Sequence, residues 1–199
     1  MYRTLIFFAA LALASANTYA QSAVPVRGTI TGLQGNELDV STRDGRDMKV
    51  ELTRDTTILY TKAIKLTDLK PGTRLGTTAV PGPDGKLVAK EVHVSLPDRP
   101  FTNEGHFPMA NIPGATMTNA TVSAAGQLTN GRELTLTYKG GSQVVIVPDN
   151  TPVSMPVAGD RSYLVRGEFV SLSAAMNNDG KLVASRVQVS KDGAMPPGS

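Results

Sequence analysis

The residues best suited to chemistry are two histidines, His93 and His106, in a chain that contains no cysteine. Without cysteine there is no thiolate nucleophile, no thiolate metal site and no disulfide. Neither histidine belongs to a His-Glu-x-x-His motif or stands beside a Gly-x-Ser-x-Gly elbow, so the usual metalloprotease and serine hydrolase signatures are missing. We therefore predict no catalytic residues and no enzymatic activity.

One hypothesis of metal binding concerns the proline-rich segment that contains His106. Met109 and Met117 follow this histidine, and imidazole and thioether groups are ligands that suit Cu(I). The pattern predicts a Cu(I) site of His106, Met109 and Met117, with Glu104 as a further candidate ligand. The alternative is that the methionines fill apolar gaps and His106 is an exposed residue. Apart from Cu(I), we expect no cofactor.

An internal repeat organises the elements that must position these residues. The segment 84–95 returns as 179–190, with nine of twelve positions identical at an offset of 95. Both copies read as a turn followed by a strand, which indicates two copies of one small β module. His93 is replaced by Gln188 in the second copy, and it alternates with inward-facing valines, so we expect it on the solvated surface. Positions that differ between the copies are where a specific function can lie.

Each module is predicted to contain five strands. Alternating apolar and polar residues favour strands over 26–30, 37–42, 48–52, 74–80 and 86–94, and again over 118–124, 132–138, 143–147, 163–173 and 181–189. Glycine, asparagine and aspartate separate the early strands, as hairpin turns require. We predict an all-β fold of two tandem five-stranded, OB-like Greek-key barrels. An open five-stranded sheet is the alternative.

The first module also resembles a widespread bacterial exported domain family of unknown function with an OB-like barrel. The resemblance rests on turn and core positions, above all Asp68-Leu69-Lys70-Pro71-Gly72 and the run 84–94; the second copy is more divergent and lacks the former element. It implies a barrel fold and bacterial export, and a binding or structural role in the cell envelope. It implies no catalytic residues.

The ends of the chain and the segment between the modules complete the predicted organisation. A basic residue, an apolar run over 5–13 and small residues up to position 20 indicate a signal peptide at 1–20, with cleavage after Ala20 or Ala16. We then expect the first module at 21–96, a proline-rich strap packed on the barrels at 97–116, the second module at 117–190 and a disordered tail at 191–199.

Composition narrows the predicted partners. A formal net charge of +3 and the absence of tryptophan give neither the basic groove nor the aromatic platforms that nucleic-acid binding needs. No second apolar run is long enough to span a membrane, so we expect no membrane insertion after signal cleavage. The sequence thus predicts a periplasmic or secreted, non-catalytic binding or scaffold protein, whose partner is an envelope protein or a small ligand. Periplasmic Cu(I) handling is the alternative.

Overall fold

In the computed structural model, which describes residues 23–96, 101, 103–110 and 112–198, the chain is almost entirely β-structure. Two short 3-10 turns, Leu66–Asp68 and Arg161–Tyr163, interrupt the strands. The strands are β1 (Val24–Gln34), β2 (Glu37–Thr42), β3 (Asp47–Ala63), β4 (Arg74–Pro81), β5 (Leu87–Val94), β6 (Gly105–Pro108), β7 (Thr116–Leu128), β8 (Gly131–Tyr138), β9 (Gly141–Pro148), β10 (Val153–Ala158), β11 (Phe169–Met176) and β12 (Leu182–Val189). The all-β prediction is confirmed.

The first barrel is closed by strands from both ends of the chain. β1, β2 and β3 form an antiparallel meander, β11 pairs with β1, and β12 joins β11 to β3. The pairing of β12 with β3 is parallel and closes the barrel. Its core is made of alternating strand residues such as Ile30, Leu38 and Val187, all at most 1% exposed.

The second barrel repeats this arrangement with the remaining strands. β7, β8 and β9 form the meander, β4 pairs with β7, and β5 joins β4 to β9 in parallel. Leu75, Leu134 and Val145 lie in its core and are at most 1% exposed. In both barrels the first strand pairs with the fourth and the third with the fifth, which is the connectivity of an OB-type Greek-key barrel.

The two repeats therefore exchange their last hairpins. Hairpin β4–β5 of the first repeat completes the second barrel, and hairpin β11–β12 of the second repeat completes the first. The expectation that residues 21–96 and 117–190 each fold into a separate barrel is therefore wrong. Each barrel contains three strands of one repeat and two strands of the other. The physical reason is that β3 continues for 17 residues, past its pairing with β2 and into its pairing with β10, instead of turning back into its own barrel.

The two crossing strands pair with each other. The end of β3 lies antiparallel to β10, its counterpart at an offset of 95, with Thr61 opposite Pro156 at the centre. The register is symmetrical about this pair, so a pseudo-twofold axis passes between the barrels. This is the geometry of a domain-swapped dimer, here contained in one chain.

Each 3-10 turn anchors the crossing chain in the barrel of the other repeat. Leu69, after the first turn, is fully buried in the second core, and Leu164, after the second turn, is 5% exposed in the first core. Arg132 of the second repeat donates to the carbonyl of Leu69 at 3.0 Å. Arg161 likewise donates to the carbonyl of Gly35 at 3.2 Å.

The strap and the tail both pack on the barrels where they are described. Within the strap, β6 pairs with β7, as a packed strap predicts. The tail was expected to be disordered, but residues 191–198 are placed, with a bridge between Lys191 and Ala194 and with Pro196 buried. The predicted signal peptide lies outside the described residues. Among those described, no helix is long and apolar enough to cross a membrane.

Candidate functional site

A cleft of about 640 Å³ lies where the two barrels meet. Residues of both repeats, of the strap and of the tail line it: Gly76, His93, Val94, Ser95, Leu96, Phe101, Asn103, Met117, Asn119, Ser154, Pro156, Arg186, Gln188 and Pro197. We call this space the inter-barrel cleft. Because the strands are exchanged, it brings together residues that are distant in the sequence.

One wall of the cleft is a row of residues in register across four strands. Asn119 on β7 lies opposite Gly76 on β4, Gly76 lies opposite His93 on β5, and His93 lies beside Ser154 on β10. A Cβ at Gly76 would come within 2.7 Å of the side-chain oxygen of Asn119. Glycine at position 76 therefore leaves space for the side chain of Asn119 on the neighbouring strand.

His93 is the centre of this wall. Its Nδ1 lies 2.8 Å from Oγ of Ser154, and its Nε2 lies 3.0 Å from Oε2 of Glu91. The second contact lacks hydrogen-bond alignment, so it is an ion pair only when the imidazole is protonated. The side chain of His93 is only 13% exposed. The expectation of a solvated surface histidine is thus corrected: His93 does point out of its barrel, but the outward direction leads into the cleft.

Glu91 carries the negative charge of this wall. Burial alone would raise the pKa of its carboxyl, but contacts with His93, Thr78 and the backbone N–H of Gly198 outweigh burial and lower the pKa from its ordinary value of 4.5. The hydroxyl of Thr78 donates to Oε1 of Glu91 at 2.8 Å. Glu91 is therefore held as a carboxylate with several donors around it.

The opposite wall contains the matching residues of the second repeat. At an offset of 95, Arg186 corresponds to Glu91 and Gln188 to His93. Nε2 of Gln188 donates to the hydroxyl of Thr61 at 3.1 Å, and both side chains are buried. Ser154 is matched by Leu59. One fold thus carries a Glu-His-Ser set on one side of the pseudo-twofold axis and an Arg-Gln-Leu set on the other.

The strap closes one side of the cleft. The guanidinium of Arg74 lies 4.3 Å from the centre of the Phe101 ring, which is a cation–π contact. The side-chain amide of Asn119 donates to the carbonyl of Asn103 at 2.8 Å. These contacts fix Phe101 and Asn103 at the cleft, where an aromatic face and an amide are available to a ligand.

The residues of the Cu(I) hypothesis do not converge on one face. His106 lies opposite Thr118 in the β6–β7 pair, and its Nδ1 lies 2.8 Å from the Thr118 hydroxyl. Met117 precedes Thr118, so its side chain leaves the other face of the strand and lines the inter-barrel cleft. The backbone N–H of Met109 bonds to the carbonyl of Ala115. No cluster of three or more histidine and carboxylate side chains suited to a metal occurs among the described residues.

A family comparison agrees with the repeat. Residues 27–93 and 119–188 each match the domain of unknown function DUF5666. The chain belongs to the DUF5666 family. No curated protein and no solved structure shows significant similarity to it. The two DUF5666 copies end at His93 and Gln188, so the family match includes the central residue of each cleft wall.

Sequence reasoning missed most of this site because its members lie in different DUF5666 copies. Ser154 and Asn119 had no signal of their own, since each is a single polar residue in a strand. The replacement of His93 by Gln188, and of Glu91 by Arg186, was the one available signal. It marked positions that the fold does not fix, although it gave no partner for either side chain.

Proposed function

We propose that this chain is an exported, non-catalytic binding protein of the bacterial cell envelope, and that the inter-barrel cleft is its ligand site. The observation that carries the proposal is the difference between the two walls. A duplicated fold needs the same structural residues on both sides, yet Glu91, His93 and Ser154 have no chemical equivalents across the axis. Polar side chains that the fold does not require, placed at a domain interface, are typical of ligand sites.

The chemistry of the cleft favours a ligand with apolar and polar parts. Phe101, Met117 and Pro156 supply apolar surface, while the side-chain amides of Asn103 and Asn119 supply hydrogen-bonding groups. Few convergent polar groups within an apolar lining give orientation and specificity in small-ligand sites.

Binding is a better account than catalysis for the Ser154–His93–Glu91 contacts. A serine nucleophile requires a base that a third group orients. Here Ser154 is only 6% exposed, and the contact between His93 and Glu91 lacks hydrogen-bond alignment. The set is better suited to holding the cleft wall in one conformation.

Export is supported by the sequence of the first 20 residues, which has the basic, apolar and small-residue parts of a signal peptide. Localisation to the periplasm or secretion follows from this proposal. Periplasmic Cu(I) handling stays a separate prediction, and it requires His106 and Met117 to act together although they leave opposite faces of β6–β7. A Cu(I) titration of residues 21–199 against a competing chelator tests it, with loss of binding in His106→Ala as the result that would support it.

The ligand site is tested by screening residues 21–199 with a library of small neutral and charged fragments, read by amide chemical shifts. We expect the fragments that bind to shift amides near His93, Ser154 and Asn119. His93→Gln, which introduces the side-chain type of the other wall, should weaken them while the amide spectrum stays that of the folded protein. Lys90→Gln is the matched control, because Lys90 is an exposed neighbour on β5. Hits that map elsewhere, or that bind the His93 variant unchanged, would refute the cleft as the site.

A further inference from the structure

The final described segment, Lys191–Gly198, places its last residues at the inter-barrel cleft. Pro196 is buried and Pro197 lines the cleft. The backbone N–H of Gly198 lies close enough to the carboxylate of Glu91, in the second barrel, to help lower the pKa of that carboxyl. A Cβ at Gly198 would lie 3.0 Å from the guanidinium carbon of Arg27 in the first barrel, so the segment reaches both barrels.

The segment makes these contacts through its backbone and its proline rings, and not through polar or charged side chains. Proline fixes φ and favours the extended polyproline conformation, which reduces the entropy lost on binding. Grooves that bind such segments offer aromatic and apolar surface to the rings and a few groups for the backbone. The cleft has Phe101 for the first purpose, and the carboxylate of Glu91, two residues before the cleft residue His93 on β5, lies near the backbone of the segment for the second.

The repeat identifies which wall makes the contact. The backbone N–H of Gly198 lies near the carboxylate of Glu91, whose counterpart Arg186 is a cation and cannot accept a hydrogen bond. The peptide contact therefore uses a residue that only one repeat provides.

We propose that the inter-barrel cleft binds extended, proline-containing peptide segments, and that residues 192–198 occupy it as a tethered competitor. This inference rests on the proposed ligand site and names its ligand class. Among the described residues the segment has only one β-bridge, between Lys191 and Ala194, so it can leave the cleft without breaking a strand. A tether of this length keeps the segment at a millimolar effective concentration, which an incoming peptide must overcome.

The test compares the protein of residues 21–199 with a variant that ends at residue 191. The probe is a fluorescein-labelled synthetic peptide with the sequence of residues 192–199, followed by fluorescence anisotropy. A segment that occupies the cleft in nine of ten molecules lowers the affinity for free peptide about tenfold. We therefore expect the truncated variant to bind the peptide at least about tenfold more tightly than the longer protein.

Two altered peptides separate recognition from effects on folding, since they leave the protein unchanged. Replacing the glycine of position 198 by N-methylglycine removes the N–H that lies near the Glu91 carboxylate. Replacing both prolines by alanine removes the preformed extended conformation. Each change should weaken binding to the truncated variant. Glu91→Gln should weaken the parent peptide as well, and Lys90→Gln should leave it unchanged.

Equal binding of the peptide to both proteins, or equal binding of the parent and N-methylglycine peptides, would overturn this inference. So would the absence of peptide binding to the truncated variant. If fragments still map to the cleft in that case, the ligand site stands and only the peptide class is wrong. If neither peptide nor fragments bind there, both proposals fail.

Discussion

Exchange of the hairpins can be tested with engineered disulfides, because the chain has no cysteine of its own. In the exchanged fold Pro25 on β1 lies opposite Ser173 on β11. If each repeat formed its own barrel, β1 would instead pair with β4, and Pro25 would face Thr78, the counterpart of Ser173. We therefore expect Pro25→Cys/Ser173→Cys to oxidise to a disulfide and Pro25→Cys/Thr78→Cys to stay reduced.

The stability gained from the Pro25–Ser173 disulfide follows from the strand register and from the length of the loop that the bond encloses. Directly opposed residues of antiparallel strands have Cα atoms about 4.5–5.5 Å apart, within the range that a disulfide accepts. The bond would enclose roughly 150 residues, for which the chain-entropy estimate is about 5 kcal/mol of added stability. Native-state strain commonly reduces this gain to about 2–4 kcal/mol.

The assay combines thiol counting with urea unfolding of the oxidised and reduced forms. Oxidation of the Pro25/Ser173 pair should raise the urea midpoint, and reduction should restore the parent value. Formation of the Pro25/Thr78 disulfide in the monomeric protein, with the Pro25/Ser173 pair reduced, would refute the exchange. Size-exclusion chromatography ensures that each bond is formed within one chain.

Three further outcomes are expected. Leu69→Ala should destabilise the protein by about 2–5 kcal/mol and should speed amide exchange first in β8 and β9 of the second barrel. Leu164→Ala should instead speed amide exchange first in β1 and β2 of the first barrel. Faster exchange in the barrel that contains the mutated repeat's own meander would contradict this. The lowered pKa of Glu91 means that its contribution to stability is present above about pH 4.5 and is lost as pH falls through the folded-state pKa. Urea midpoints measured from about pH 7 to pH 3 should therefore fall less steeply for Glu91→Gln than for the parent protein, and parallel curves would show that Glu91 contributes nothing. A fluorophosphonate probe should not label the protein, and labelling that is lost in Ser154→Ala would show a reactive serine and contradict the non-catalytic proposal.

The sequence allowed the strands to be predicted but not their partners. The alternation in β2 and β8 and the turn at Gly85 are local signals, and strands occur there. The exchange is different, because hairpins β4–β5 and β11–β12 are close copies that present similar edges. The outcome depends on whether β3 continues beyond Leu52 towards the other barrel, and the sequence pattern of 48–52 did not reveal that it does.

The same limit applies to the candidate site. Period-two alternation placed His93 outside its barrel, which is correct, but it could not show that β10 of the other repeat lies there. The metal hypothesis failed to allow for strand pairing in another way, because it assumed that residues close in sequence lie close in space. His106 and Met117 are close in sequence, yet strand pairing turns them to opposite faces, because His106 is opposite Thr118 and Met117 is one residue before it.

Exchange also explains why the site needs both repeats. His93 comes from the first repeat and Ser154 from the second, and they meet because β5 and β10 are neighbours in the exchanged sheet. One repeat folded alone would have neither the contact nor the opposite wall that contains Gln188. Duplication therefore supplies two equivalent walls. Divergence of a few outward positions then makes one wall acidic at Glu91 and the other basic at Arg186, without changing either core.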